Sequence, residues 1–294
     1  MSVNNLVASF SGYIGLEYNT SWSYIHDGSS GGVTNNEVAV KLYHASNGDY
    51  AISRGFLIFN TSSIPSNCTI HSVYLQFQAG YNNELNATMQ IVDNNQISNS
   101  SLTGTDYPRL GTANYGQFAF SAMSTATGYV NSFAVSPSAI VKGGTTKLGL
   151  RTTNDVNNSA PGGNTESRVS IHGYTDSNYP VRLVITYTTT PVVTTGTASA
   201  LQPISATLAG NVTDVGGGTV SSRGVCWSTS ANPTTSNSKA SSSGQLGSYT
   251  VGATGLLPGT LYHYRAYVTT ENSTQYGSDV TFRTPGGAIL FNLL

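Results

Sequence analysis

Charge is what this sequence has least of. Asp, Glu, Lys and Arg make up 9% of its 294 residues, against about 25% in ordinary globular proteins. The formal net charge is −1, which excludes the basic footprint of a nucleic-acid binder or of a protein drawn to acidic lipid. Cysteine is nearly absent. Cys68 and Cys226 stand far apart, so a disulfide framework and a zinc centre are both excluded by count, and each thiol is expected to pack as a small apolar group. No stretch approaches the roughly 20 apolar residues of a membrane span. No segment carries the 3.6-residue period of a long amphipathic helix. Nor does Met1-Ser-Val-Asn-Asn begin a basic n-region followed by about 7–15 apolar residues, so a chain without an export leader is expected.

What fills the space is Gly, Tyr, Asn, Ser and Thr, with 32 Gly and 18 Tyr. Among them Val, Ile, Leu, Phe and Tyr alternate with polar residues, the pattern of short strands joined by polar turns. Val73, Leu75 and Phe77 oppose Ser72, Tyr74, Gln76 and Gln78. Leu183 and Ile185 oppose Arg182, Val184 and Thr186. The fold class expected is all-β. The length suits about two domains: residues 1–188 as a jelly-roll-like β-sandwich, 189–191 as a linker, 192–284 as a second sandwich, and 285–294 as an apolar tail. Strands are expected at 6–13, 37–44, 54–60, 69–78, 87–92, 117–122, 147–152, 168–174 and 181–187, then at 205–212, 221–228, 248–253, 261–270 and 278–284. Ser136-Pro-Ser-Ala-Ile-Val-Lys-Gly143 has a cap, a Pro at the first position and a closing Gly, so it is expected to hold one helical turn.

The firmest local signal is Leu256-Leu-Pro-Gly-Thr-Leu-Tyr-His-Tyr-Arg-Ala-Tyr-Val268. Pro258-Gly259 makes a tight turn. Beyond it Tyr262, Tyr264, Ala266 and Val268 share one side of a strand, and Leu261, His263, Arg265 and Tyr267 the other. A Tyr at such a corner bonds back to upstream backbone in many β-sandwiches, a structural role expected of Tyr262. Together with Arg223-Gly-Val-Cys-Trp-Ser-Thr229, Asn232-Pro-Thr234 and Tyr276-Gly-Ser-Asp-Val-Thr-Phe-Arg-Thr284, this stretch resembles a bacterial fibronectin type III-like module over nearly all of the second domain. That resemblance implies an Ig-like sandwich with Trp227 as a core aromatic, acting as spacer or adhesion unit.

In the first domain Arg54-Gly-Phe-Leu-Ile-Phe-Asn-Thr-Ser-Ser-Ile-Pro65, Thr69-Ile-His-Ser-Val-Tyr-Leu-Gln-Phe77 and Pro180-Val-Arg-Leu-Val-Ile-Thr-Tyr187 resemble the DNRLRE-type (disaggregatase-related) β-sandwich. Modules of that kind are similar to carbohydrate-binding modules and sit in extracellular proteins. Only Trp22 represents the family's tryptophan-rich segment in this half.

Chemistry is sparse. His26, His44, His71, His172 and His263 fall in no nucleophile–base–orienter motif, and the carboxylates show no pair set to flank a sugar. No enzyme and no cofactor are expected. Asp93-Asn-Asn95 and Asn154-Asp-Val-Asn-Asn158 are oxygen-rich loops of the kind calcium prefers, yet Asn and Asp favour turns unaided. Glycan binding needs aromatic faces flanked by amides and hydroxyls. The candidates are Tyr18, Trp22, Tyr24, Tyr81, Tyr107 and Tyr115. The tail residues Ile289, Leu290, Phe291, Leu293 and Leu294 are apolar where termini are usually polar, so the tail either folds back on its own domain or docks into a neighbouring chain. The combined expectation is a non-enzymatic structural protein of a virion surface, in a phage capsid decoration, tail or fibre, with weak adhesion to host glycans. Its partners would be other virion proteins, copies of itself and cell-surface glycans, with no nucleic acid and no membrane insertion. The alternative is a secreted bacterial surface adhesin or carbohydrate-binding module.

Overall fold

The computed structural model describes residues 1–83, 87–128, 130–163, 165–271 and 273–287. It is all-β, with antiparallel pairing throughout the described ladders. The chain divides into two compact units. One comprises residues 3–66 and 70–187; the other comprises 188–294 with residues 1–2 and 67–69.

In the first unit the strands are β1 (Ser2–Asn19), β2 (Gly32–Asn35), β3 (Glu37–His44), β4 (Tyr50–Thr61), β5 (Thr69–Phe77), β6 (Ala79–Asn83), β7 (Thr88–Asp93), β8 (Gly116–Ala119), β9 (Asn131–Ala134), β10 (Gly144–Thr152), β11 (Thr165–His172) and β12 (Arg182–Thr188). They order as β6-β11-β3-β4-β1-β12-β5-β9, with β10 joining β4 to β7 and β8. The unit is organised on β4. Along one edge it pairs with β1. Along the other its residues 50–53 pair with β3, and its residues 55–61 pair with β10. Nearly every β4 residue is buried, as a strand covered on both faces requires. Gly55 sits where β3 and β10 part. A Cβ there would meet Val38 Cγ1 at 2.6 Å and Leu150 Cβ at 3.2 Å, so the fork needs a residue without one. Below β4 lies a core of Phe10, Ile14, Phe56, Ile58, Val92, Leu102, Tyr107 and Leu110.

Two short helices interrupt the strands: α1 (Trp22–His26) and α2 (Thr153–Val156). Strand periodicity had indicated neither. Each announces itself only by its cap: Ser21 accepts the Tyr24 N–H, and Thr152 accepts the Asp155 N–H, the usual satisfaction of orphan N–H groups. Thr103 and Asp106 likewise form a capping box on a 3-10 turn over Gly104–Arg109. The turn expected over 136–143 is a 3-10 turn confined to Pro137–Ala139, capped by Ser136. β1 runs well past the expected 6–13 at both ends, with register shifts at Ala8/Phe10 and Leu16/Asn19. The polar run Ser2, Asn4 and Asn5 at one end and Gly15, Glu17 and Asn19 at the other hid those ends.

In the second unit the strands are β13 (Val192–Thr195), β14 (Ser205–Asp214), β15 (Val220–Ser228), β16 (Ser238–Ser242), β17 (Gly247–Thr254), β18 (Leu261–Thr270), β19 (Thr274–Tyr276) and β20 (Val280–Arg283). One sheet is β13-β14-β17; the other is β16-β15-β18 with β19 and β20 on β18. Two sheets facing across one core, with this order, make a fibronectin type III/Ig-like sandwich. The core holds Leu208, Val225, Trp227, Tyr249, Tyr262, Tyr264, Val268 and Phe282. The Tyr262 hydroxyl accepts the Leu257 N–H at 3.0 Å, closing the corner. β18 departs from a strand with a single buried side, because Tyr267 on its other side is 1% exposed. Its hydroxyl lies 3.3 Å from Ser222 Oγ and 3.0 Å from Ser241 Oγ, so short serines on the neighbouring strands make room for the ring. Neither Cys68 nor Cys226, both buried, is joined in a disulfide; burial raises the Cys226 pKa, so this thiol is held in its neutral, unreactive form.

Candidate binding surface on the first helical turn

Beneath α1 lies a buried ionic cluster. Asp155 is fully enclosed. Arg54 Nη2 donates to Asp155 Oδ1 at 2.6 Å and Arg54 Nε to Oδ2 at 2.9 Å. Arg151 Nε donates to Oδ2 at 2.7 Å and Arg151 Nη2 to Oδ1 at 2.9 Å. Burial opposes ionisation of this carboxyl, but the hydrogen bonds and charges of Arg151 and Arg54 outweigh it, and the Asp155 pKa falls below its ordinary value. Each oxygen therefore takes two charge-assisted bonds, the arrangement a buried charge needs.

The remaining N–H groups of the cluster hold loops. Arg54 Nη1 donates to the Tyr107 carbonyl at 3.0 Å and Nη2 to the His26 carbonyl at 2.8 Å. Arg151 Nη1 donates to the Gly111 carbonyl at 3.0 Å. The Arg54 guanidinium lies 4.0 Å from the centre of the Tyr107 ring, and the Tyr107 hydroxyl donates to the Ile25 carbonyl at 2.8 Å. With Ile25 itself buried, α1 is pinned at two successive carbonyls. This differs from the ligand-contact role expected of Tyr107. It is 0% exposed and cannot offer a face to a sugar; it supports the turn that carries two other candidates. Asp155, in the oxygen-rich stretch 154–158 that reads as either a calcium loop or an ordinary turn, is committed to its two arginines. Asp93, in the other such loop, accepts the Ala113 N–H and the Asn95 side-chain amide. Among the described residues no group of three His, Cys, Asp or Glu is placed to hold a metal.

Above this support α1 presents two flanks. On one, Trp22 stacks on His26 with ring centres 5.8 Å apart and meets Tyr50 edge-on at 5.5 Å. Its indole N–H donates to Asn158 Oδ1 at 2.8 Å, and Tyr50 stacks on His44 at 4.1 Å. On the other, Tyr24 is 61% exposed and lies in a depression of about 580 Å³ shared with Ser21, Ser23, Asp27, Gly28 and Ser29. An open phenol ring among three hydroxyls and a carboxylate offers a stacking face and polar partners together.

The other candidates are not gathered here. Tyr18 is 62% exposed in a left-handed conformation, φ 60°. It meets Tyr43 edge-on at 6.4 Å, with Lys41 Nζ 5.6 Å and 5.1 Å from the two ring centres. Tyr43 and Lys41 alternate with His44 along β3, so this trio faces away from the Trp22 stack. Tyr115 precedes β8, its backbone bonded to Ile91 and Ser136. Tyr81 pairs with Ser170 through its backbone, and its side chain is outside the described set, as are the tail residues Ile289, Leu290, Phe291, Leu293 and Leu294. His26, Tyr50 and Asn158 complete the surface with His44, the last residue of the expected strand 37–44, and carried no strand-pattern signal; the Ser21 cap and the i, i+4 spacing of Trp22 and His26 were the available one.

A second polar groove, of about 310 Å³, holds Ser170, His172, Asp176 and Glu37. His172 Nδ1 lies 2.5 Å from Asp176 Oδ2. The His172 bond, with backbone N–H bonds from Tyr179 and Asn178, pulls the Asp176 pKa down to about 2. Among the described residues no hydrogen bond joins Ser170 to His172, so the base–nucleophile contact that acyl transfer requires is not made.

No family model matches the sequence, and no curated protein does. Among solved structures, the chain is similar to the sensor domain of the anti-sigma factor RsgI4 of Pseudobacteroides cellulosolvens at 19% identity, covering 33% of this chain and 95% of that one, with a TM-score of 0.25. It is similar to the FN1–FN3 domains of chicken CNTN1 at 10% identity, covering 97% and 94%, with a TM-score of 0.26. It is also similar to a run of domains from titin at 9% identity, covering 97% of each chain, with a TM-score of 0.24. Likeness at this level leaves the fold to be argued from the strand order itself.

Proposed function

We propose that this chain is a non-enzymatic surface protein built of β-sandwich modules, whose first unit holds glycan weakly in the Tyr24 depression. One observation carries this reading: an exposed aromatic ring, rimmed by hydroxyls, stands on a turn fixed from below by a buried ion cluster. Rigid support is what separates a binding ring from an incidental surface tyrosine, since a preorganised contact loses less entropy on binding. In our reading the surface is that of a virion. Sparse charge and abundant hydroxyl and amide side chains suit close packing in an assembly. Genomic neighbours test that placement: capsid, portal or tail genes support it, and polysaccharide-utilisation genes point to a bacterial cell surface. The glycan reading is tested on a printed glycan array with the wild type and Tyr24→Ala. Binding that the substitution abolishes, at unchanged melting temperature, is the expected result. A blank array, or signals indifferent to the substitution, sinks it.

A further inference from the structure

His26 sits between two groups that only accept. Its Nδ1 lies 2.5 Å from Asp27 Oδ1, and its Nε2 lies 2.8 Å from the Asp155 carbonyl oxygen, with Asp155 Oδ1 at 3.9 Å. A neutral imidazole has one N–H and can satisfy one of them; the imidazolium has two and satisfies both. We propose that protonation of His26 sets the α1 turn, so that glycan capture beside Tyr24 is tightest in mildly acid solution and weakens as pH rises. The proposal rests on the reading of the Tyr24 depression as the glycan site.

The surroundings decide which group responds. From α2 comes Asp155, already neutralised by Arg54 of β4 and Arg151 of β10; both guanidiniums stay charged at any physiological pH. From the 3-10 turn over Gly104–Arg109 comes Tyr107, whose burial raises its pKa and keeps its hydroxyl neutral. From β4 and β3 come Tyr50 and His44. His44 Nδ1 faces one acceptor, the Pro161 carbonyl at 3.1 Å, which a single N–H satisfies. That leaves His26, between Asp27 and the Asp155 carbonyl, as the group whose second bond depends on the proton. Asp27 also lines the Tyr24 depression. Losing the Asp27 bond frees a carboxylate into the ligand's space and slackens the residue that closes α1; losing the Asp155 bond instead releases the His26 ring, and the Trp22 stacked on it, from α2. Histidine is the side chain that changes charge between about pH 5 and 8.

Trp22, stacked on the His26 ring, is the built-in reporter. The intact protein is titrated across that range by tryptophan fluorescence, and the printed glycan array is run at its two ends. The expected result is a one-proton fluorescence transition in the wild type. It is absent in His26→Gln and in Trp22→Phe. Array signals are expected to be about three- to tenfold stronger at the acid end, the worth of about one hydrogen bond. A flat fluorescence titration, or a transition that survives His26→Gln, overturns the switch. Equal array signals at both ends overturn its coupling to capture. A blank array with the transition intact removes the glycan reading and leaves the proton-set turn standing.

Discussion

Asp155 shows how much one side chain holds. It joins β4, β10 and α2, and through Arg54 and Arg151 it reaches the carbonyls of His26, Tyr107 and Gly111. Removing one member of such a cluster strands the others' charge away from water. Asp155→Asn is expected to cost about 3–5 kcal/mol, read from urea unfolding. The same residue gives a pH signature. Its folded pKa lies below its ordinary value because the arginine bonds outweigh the burial that opposes ionisation. Its stabilisation is therefore complete above the unfolded carboxylate value, about pH 4, and is lost as pH falls through the lower folded value. The wild type should lose stability steeply in that acid window, and Asp155→Asn should lose much less. Equal slopes would show that Asp155 is not the residue titrating. None of this was legible in the chain. Asp155 lies in a stretch of Asn and Asp that reads equally well as a turn, and its arginines are 101 and 4 residues away. The polar cluster is made by tertiary approach, and periodicity does not encode it.

Elements divide by how they advertise themselves. Strands with one buried side show in alternation, and β5 and β12 follow that rule, as β18 does up to the buried Tyr267 on its other side. β4 does not, since both of its sides are covered, although its apolar run still reads as a buried strand. Short helices have too few residues for a period, so α1 and α2 are visible only through Ser21 and Thr152. Fork geometry is invisible too, but it leaves a trace in Gly55. Gly55→Ala would press a methyl between Val38 and Leu150, and overpacking of this kind costs about 1–3 kcal/mol. The expected readout is a lower urea midpoint at unchanged slope. A neutral Gly55→Ala would mean that Val38 and Leu150 can give way to the added methyl. Of the aromatic candidates, Trp22 and Tyr24 share α1, Tyr18 faces the other way, and Tyr107 is interior. One sequence feature, an aromatic among polar neighbours, thus covers three different situations.

At the scale of the whole molecule, the two units place different demands on the chain. The second repeats a familiar sandwich and is tied by local devices such as the Tyr262 corner. The first is held by long-range pairing on β4 and by the Asp155 cluster. The apolar tail adds a question of assembly. If it docks into a neighbouring chain, deleting residues 286–294 should lower the assembled mass in light scattering and leave each unit folded. An unchanged mass rejects docking and favours a tail folded on its own domain.

Composition and alternation alone determined that this is an all-β protein with sparse charge, because strand periodicity and turn chemistry are local properties; the fibronectin-like second half was what the resemblance of its motifs implied. They also supplied the candidate aromatic rings. Only the tertiary structure decided which rings face outward and which hold up the others. That choice depends on Arg54 reaching Asp155 and Arg151 in the interior from about a hundred residues away, and a contact between residues so far apart leaves no pattern along the chain.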